Sequence, residues 1–374
     1  MTRERFRLRT VLIPVAAVAG FFAIQIAVVT VYMILYSFIT SILDPAGAAE
    51  ILSGIQDILL RSTNNIGAIY SVLAAVAALL VIRALRKGNP EAAHWNNPGK
   101  SAYFAAIVVM VGAAGLIALL MTALSQLAES VPFIDAKLQE YVELSEMFTG
   151  DGNLAMIILS TCILVPLAEE LVFRGIIQGE LRRVFPAWAT VLIQAVIFSL
   201  VHGNLVQISY VILPALVLGL VYEWTRSLYV PIAMHMVFNF IGAAVPQMLG
   251  SDETAMMYLY VVQIAMIPPA ILGMAYLAAR HRSRTRTADA KLAAESVSAG
   301  ADVYGDPMAE GGSLQAYGFP DGAIVPERTD ADGGATLTQD TPPSDAAPLQ
   351  DTPPADAAPP DAVGPSVWVH RDMV

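Results

Sequence analysis

Read from the N-terminus, the chain alternates long apolar runs with short polar stretches. Eight runs have the length and character of membrane-spanning helices, at about 11–40, 65–84, 102–126, 154–178, 187–205, 208–225, 229–248 and 255–279. Each comes near or above the ~20 apolar residues that a helix needs to cross the hydrocarbon of a bilayer. The first is longer than required, which predicts a tilted helix or one that extends past the bilayer. Between the first two runs, apolar residues fall at 51, 52, 55, 58 and 59. That helical spacing predicts a short amphipathic helix lying on the outer interface. From about Asp289 the periodicity stops, and Ala, Asp, Pro, Gly, Ser and Thr dominate. Two near-identical units, QDTPPSDAAP at 339 and QDTPPADAAP at 350, lie in this stretch. Such sequence lacks the apolar surface needed to offset chain entropy, which predicts a disordered cytoplasmic tail. The alternative for the tail is a partner-docking segment ending in SVWVHRDMV. The fold class predicted is an all-α polytopic membrane helix bundle of about eight transmembrane helices over residues 1–286. A chemically distinctive core lies at about 153–248, and the tail covers 287–374.

Composition supports this reading. Hydrophobic residues make up 56% of the chain and charged residues 14%, against about 25% charged in soluble domains. The mean hydropathy is +0.59. The net charge of −11 reflects acids gathered in the tail and a few loops. No basic stripe with interleaved aromatics is present, which argues against a nucleic-acid partner. The single cysteine, Cys162, cannot form an intrachain disulfide, and in an apolar run it makes a poor nucleophile.

Basic residues set the expected orientation. Arg3, Arg5, Arg7 and Arg9 precede the first span. Arg83, Arg86, Lys87 and Lys100 lie between the second and third, Arg182 and Arg183 after the fourth, Arg226 after the sixth, and Arg280 to Arg286 after the last. An even number of spans with both termini cytoplasmic leaves only Arg61 and Lys137 outside. A multi-pass protein of the cell membrane is expected. The first span is too long for a cleavable signal peptide and is expected to stay as an anchor.

The fourth run contains LVPLAEELVFRGII, Leu164 to Ile177. Three charges in hydrocarbon are costly, and intramembrane ionisable groups are candidates for function. Glu170 and Arg174 stand four residues apart on one helix face and can neutralise each other. Glu169 points about 100° away and must find its partner on another helix or in water. In the fifth run Gln194, Phe198 and His202 share a face. In the seventh, His235 and Asn239 do. Taken singly, each set has a plain structural use as a salt bridge, a helix cap or interhelical hydrogen bonds. Taken together, a carboxylate, two imidazoles and a carboxamide on three apolar helices make a set suited to hydrolysis. A glutamate in a low-dielectric pocket can take a proton from water. An imidazole can share that work, and His and Asn can donate to a developing oxyanion. The same Glu169, His202 and His235 could instead bind zinc with one position left for water.

EELVFR, FSLVH and HMVFN, in that order on three helices, resemble the EExxxR, FxxxH and HxxxN/B motif series of the CPBP family. That family comprises CAAX prenyl endopeptidases and bacteriocin-processing or self-immunity proteins. The resemblance covers about Asn153 to Met248. It implies an intramembrane endopeptidase in a helical bundle with a cavity open to the cytosol, acting on a peptide or lipidated protein substrate. Carried over by motif position, Glu169 corresponds to the water-activating glutamate, and His202 to its helper. His235 and Asn239 correspond to the oxyanion-stabilising pair, while Glu170, Arg174 and Phe198 are supporting residues. The resemblance fits a metal-free mechanism as well as a zinc one. Asn239 is a poor zinc ligand and a good oxyanion donor, which favours the metal-free form with no cofactor. The rival readings are a non-proteolytic scaffold or self-immunity protein, and a proton-coupled transporter. One expectation conflicts with this set. The predicted spans put His202 at the outer end of its helix and His235 at the inner end of its own.

Overall fold

The computed structural model describes residues 6–43, 51–149 and 153–304, and all of the regular structure within them is helical. The helices are α1 (Arg9–Leu43), α2 (Ile51–Leu85), α3 (Lys100–Ala128), α4 (Pro132–Thr149), α5 (Leu154–Leu181), α6 (Ala187–Leu200), α7 (Leu205–Thr225), α8 (Tyr229–Leu249), α9 (Glu253–Ala265) and α10 (Ile267–Tyr304). Seven helical stretches among the described residues are long and apolar enough to cross a membrane, with α9 and α10 counted as one, and α6 is shorter. The chain is a multi-pass membrane protein. It divides into two units, Met1–Thr287 and Ala288–Val374.

In the first unit α5 is the hub. Ala168, Leu171, Phe173 and Ile177 of α5 are buried against Ala78 of α2 and Ala215 of α7. α1 lies outermost, with Ile34, Leu35 and Phe38 exposed as lipid-facing residues would be. Between helices in lipid, close packing and polar contacts replace the hydrophobic effect as the source of cohesion, and both are visible here. Gly67 of α2 admits the Ser160 hydroxyl of α5, whose oxygen would sit 2.5 Å from a Cβ at that position. Along α5 and α7, three contacts repeat at one register. Arg174 Nη2 donates to Ala215 O at 3.1 Å and Gln178 Nε2 to Gly219 O at 3.1 Å. Arg182 Nε donates to Glu223 Oε1 at 2.7 Å. Both partners advance by four residues at each step, so α5 and α7 run parallel.

Three stretches depart from α geometry into wider π turns: Ile158–Leu164 and Leu171–Gln178 in α5, and Phe240–Ala244 in α8. The first and third each end at a Val-Pro pair, Val165-Pro166 and Val245-Pro246. Proline has no N–H to continue the ladder, and such π turns are frequent at functional sites.

Several sequence expectations change. The segment 51–60 is helical, but it is the start of α2 rather than a separate interfacial helix. The loop after α3, expected on the outer side, contains α4, whose Leu138 packs with Met121 of α3 and Val206 of α7. The run at 187–205 forms a helix of only 14 residues. Gly203 takes a positive φ of 75°, and Asn204 caps α7 by accepting the Gln207 N–H, so the chain turns back early. Residues 288–304, expected to be disordered, are helical and belong to the second unit. The repeats at 339 and 350, and the rest of the predicted tail, lie outside the described residues.

The loop from Arg86 to Gly99 is tied to the ends of α5 and α7. Asn89 Nδ2 donates to Glu180 Oε1 (2.7 Å) and to Gly179 O (3.2 Å), and Leu228 N–H donates to His94 O (2.7 Å). Gly179 is required here, since a Cβ would lie 2.9 Å from Glu91 O. Arg226 Nη2 donates to Glu91 Oε2 at 2.7 Å. Burial alone would raise the Glu91 pKa. The neighbouring His94 ring and Arg226 guanidinium outweigh it and bring the carboxyl from 4.5 to about 2. A depressed carboxyl contributes stability above its unfolded pKa and loses it as pH falls through the folded one. The clamp should therefore weaken between about pH 4.5 and pH 2. Melting curves of the wild type and Glu91→Gln at pH 7 and pH 3 test this. The gap between the two proteins should be large at pH 7 and clearly reduced, though not gone, at pH 3.

Candidate active site

The candidate residues converge where α5, α6 and α8 meet. Glu170 and Arg174 are both fully buried, one turn apart, with Glu170 Oε1 accepting from Arg174 Nη1 at 2.7 Å. The same oxygen lies 2.8 Å from His235 Nδ1. With Glu170 paired to arginine as a carboxylate it can only accept, so the imidazole carries its proton on Nδ1. Arg174 also caps the Ala215 carbonyl, and its guanidinium carbon stands 4.8 Å from the centroid of the Phe198 ring. This buried charge is thus met by a carboxylate, a carbonyl and an aromatic face.

Glu169 faces the other way. Its side chain is 15% exposed where Glu170 has no exposure, and its Oε2 lies 3.6 Å from His235 Nε2, beyond hydrogen-bond range. His235 therefore sits between two carboxylates, one buried and committed, the other open. The adjacent glutamates divide the work by the rotation of the helix.

Phe198 joins the rest. Its ring makes edge contacts with Phe173 (4.7 Å between centroids), His202 (5.0 Å) and His235 (5.9 Å). The conflict over depth disappears, because α6 is short enough for its C-terminal end to bring His202 to the ring that His235 also touches. His202 Nδ1 donates to the Phe198 carbonyl at 2.8 Å, since a carbonyl only accepts. Its Nε2 is left as the basic nitrogen. Gln194, on the same face, is fully buried between α6 and α7, near Gly219.

Asn239 is the outlier. Its Nδ2 donates to the backbone carbonyl of Thr161 at 2.8 Å, and Thr161 Oγ1 donates to Asn64 Oδ1 of α2 at 3.1 Å. Sequence reasoning passed over Thr161 and Asn64. A signal was present: Asn64 is a polar residue at the start of an apolar run, and Pro166 lies five residues after Thr161. Among the described residues, no three of His, Cys, Asp and Glu converge in a metal-holding group. In both His202 and His235 the Nδ1 is engaged in a hydrogen bond, which leaves Nε2 as the nitrogen that could face a water or a metal.

Residues 151–241 match the family model described as type II CAAX prenyl endopeptidase Rce1-like, a stretch that holds all three motifs. Among curated proteins, the chain is similar to the membrane-embedded CAAX protease MroQ of Staphylococcus aureus (strain USA300). The two are 33% identical over 93 residues, which is 23% of this chain and 38% of that protein. It is also similar to the uncharacterized protein YpbD of Bacillus subtilis (strain 168), at 30% identity over 86 residues, 23% of this chain and 43% of that protein. The chain thus spans less than half the length of these relatives. No solved structure matches it.

Proposed function

We propose that this CPBP-family protein is an intramembrane endopeptidase that hydrolyses a peptide bond with a water activated by Glu169. The observation that carries the reading is the contrast between the two glutamates. Glu170 is consumed by Arg174 and His235, whereas Glu169 is partly exposed beside His235, as a general base requires.

In the proposed reaction, water attacks the scissile carbonyl carbon as its proton passes to Glu169. His202 Nε2 helps orient that water. The carbonyl becomes an oxyanion, stabilised by the free N–H of Asn239 and by His235. When it takes up a second proton from solvent on Nε2, His235 donates through Nδ1 to Glu170 and through Nε2 to the oxyanion. When the intermediate collapses, the C–N bond breaks and protonated Glu169 delivers its proton to the departing amine. No covalent enzyme intermediate and no cofactor enter this scheme. The arginines at the loop ends support cytoplasmic termini and a site reached from the cytosolic side.

The substrate is a membrane-associated peptide. Prenylated C-terminal peptides are the first to test, because the matched family and MroQ both carry CAAX in their descriptions. Purified protein in liposomes, given matched prenylated and unprenylated peptides with products read by mass spectrometry, should cleave at one bond. Metal content is measured on the same samples. Stoichiometric zinc whose removal stops cleavage would overturn the metal-free scheme. Failure of folded protein to cleave any member of a broad peptide set would turn the assignment to a scaffold.

A further inference from the structure

α5 fails to close its own hydrogen-bond ladder at one point. The Val165 N–H reaches back five residues to Ser160 O, not four to Thr161 O. In a π turn the Thr161 carbonyl would instead be served from five residues ahead. That residue is Pro166, which has no N–H. The Thr161 carbonyl is therefore orphaned along its own helix, at a depth where backbone groups need an internal partner. Asn239 of α8 supplies it through Nδ2. The residue is also braced from α2, since Thr161 Oγ1 donates to Asn64 Oδ1 and Asn64 is buried.

We infer that Pro166, Thr161 and Asn64 are positioning residues that set the orientation of Asn239. A carboxamide is planar, so fixing one N–H fixes the direction of the second N–H and of Oδ1. The orphan carbonyl takes one N–H and aims the other. The role given to Asn239 rests on the proposed function, but the anchoring does not. Asn64 belongs to α2, outside the 151–241 segment shared with the family. Part of this device therefore comes from a helix the family match does not include.

The test uses the full chain in liposomes. Pro166→Ala restores an N–H that competes for the Thr161 carbonyl and should release Asn239. kcat should fall about 10–100-fold, the range for a displaced reacting group, with KM little changed. In an Asn239→Ala background the same substitution should cost nothing more, as expected of residues acting as one unit. Thr161→Val and Asn64→Leu should lower kcat in the same way, while Thr161→Ser, which keeps the hydroxyl, should restore it. Wild-type kcat in Pro166→Ala, or losses that multiply with Asn239→Ala, would overturn the inference. A melting cycle decides it without catalysis. Asn239→Ala should lower the melting temperature in the wild-type background and much less in Pro166→Ala. Equal shifts in both would refute the anchoring. If the wild type cleaves nothing, the proposed function falls, and the melting cycle alone then decides whether the anchoring holds.

Discussion

Replacing Glu169 by glutamine is expected to lower kcat for peptide hydrolysis by about 10²–10⁴-fold, the usual contribution of a general base. The melting temperature should barely move. The substitution keeps side-chain volume and a carbonyl oxygen near His235, and removes only the capacity to take a proton from water. Its nearest imidazole nitrogen lies 3.6 Å away, so no strong structural contact is lost. Single-turnover cleavage and a thermal melt on the same preparation separate the two effects. Full activity in the variant would take Glu169 out of the mechanism, and the scaffold reading would then explain why the motif is present. A parallel loss of melting temperature would instead make Glu169 a structural residue.

The neighbouring pair should behave in the opposite way. Arg174→Leu leaves Glu170 buried without its counter-ion, and also strips the Ala215 carbonyl of its donor. Breaking a buried ion pair from one side typically costs about 3–5 kcal/mol, enough to consume much of the stability of an ordinary domain. The variant should melt far below the wild type or fail to accumulate. The double variant Glu170→Gln with Arg174→Met should recover a good part of that loss, because no charge is then left uncompensated. Recovery of folding with little recovery of activity is expected, since His235 would have lost the carboxylate that orients Nδ1. If Arg174→Leu melts like the wild type, the pair is not the structural centre of the site.

The sequence was most legible where spacing alone determines contact. Glu170 and Arg174, four apart on a helix, do meet, and Glu169 does look elsewhere for a partner. The shared face of Gln194, Phe198 and His202 also survives, with Phe198 at its middle. Depth was not legible. An apolar run from 187 to 205 looks like a full span, because Val201 and Leu205 are as apolar as lipid-facing residues. Only the backbone at Gly203 and the cap at Asn204 reveal the reversal. The π turns were equally hidden. A helical wheel assumes 3.6 residues per turn, and each widened turn shifts the faces that follow. Asn239 could be placed on a face with His235, because the π turn of α8 begins only at Phe240, yet not assigned to Thr161, whose carbonyl is freed only by the π turn of α5. The helical continuation through 288–304 was missed because its Ala, Lys and Glu content reads as polar linker, although all three favour helix.

The shortness of α6 also bears on the lipid. Its 14 residues rise about 21 Å, whereas the hydrocarbon is about 30 Å thick. Over the turn at Gly203 the bilayer has no full-length helix to match. Where this helix faces lipid, matching so short a span would draw the lipids inward or let headgroups and water sink toward it. For the peptidase proposed above, bilayer thickness itself would then be a variable that sets how easily substrate and water reach the protein.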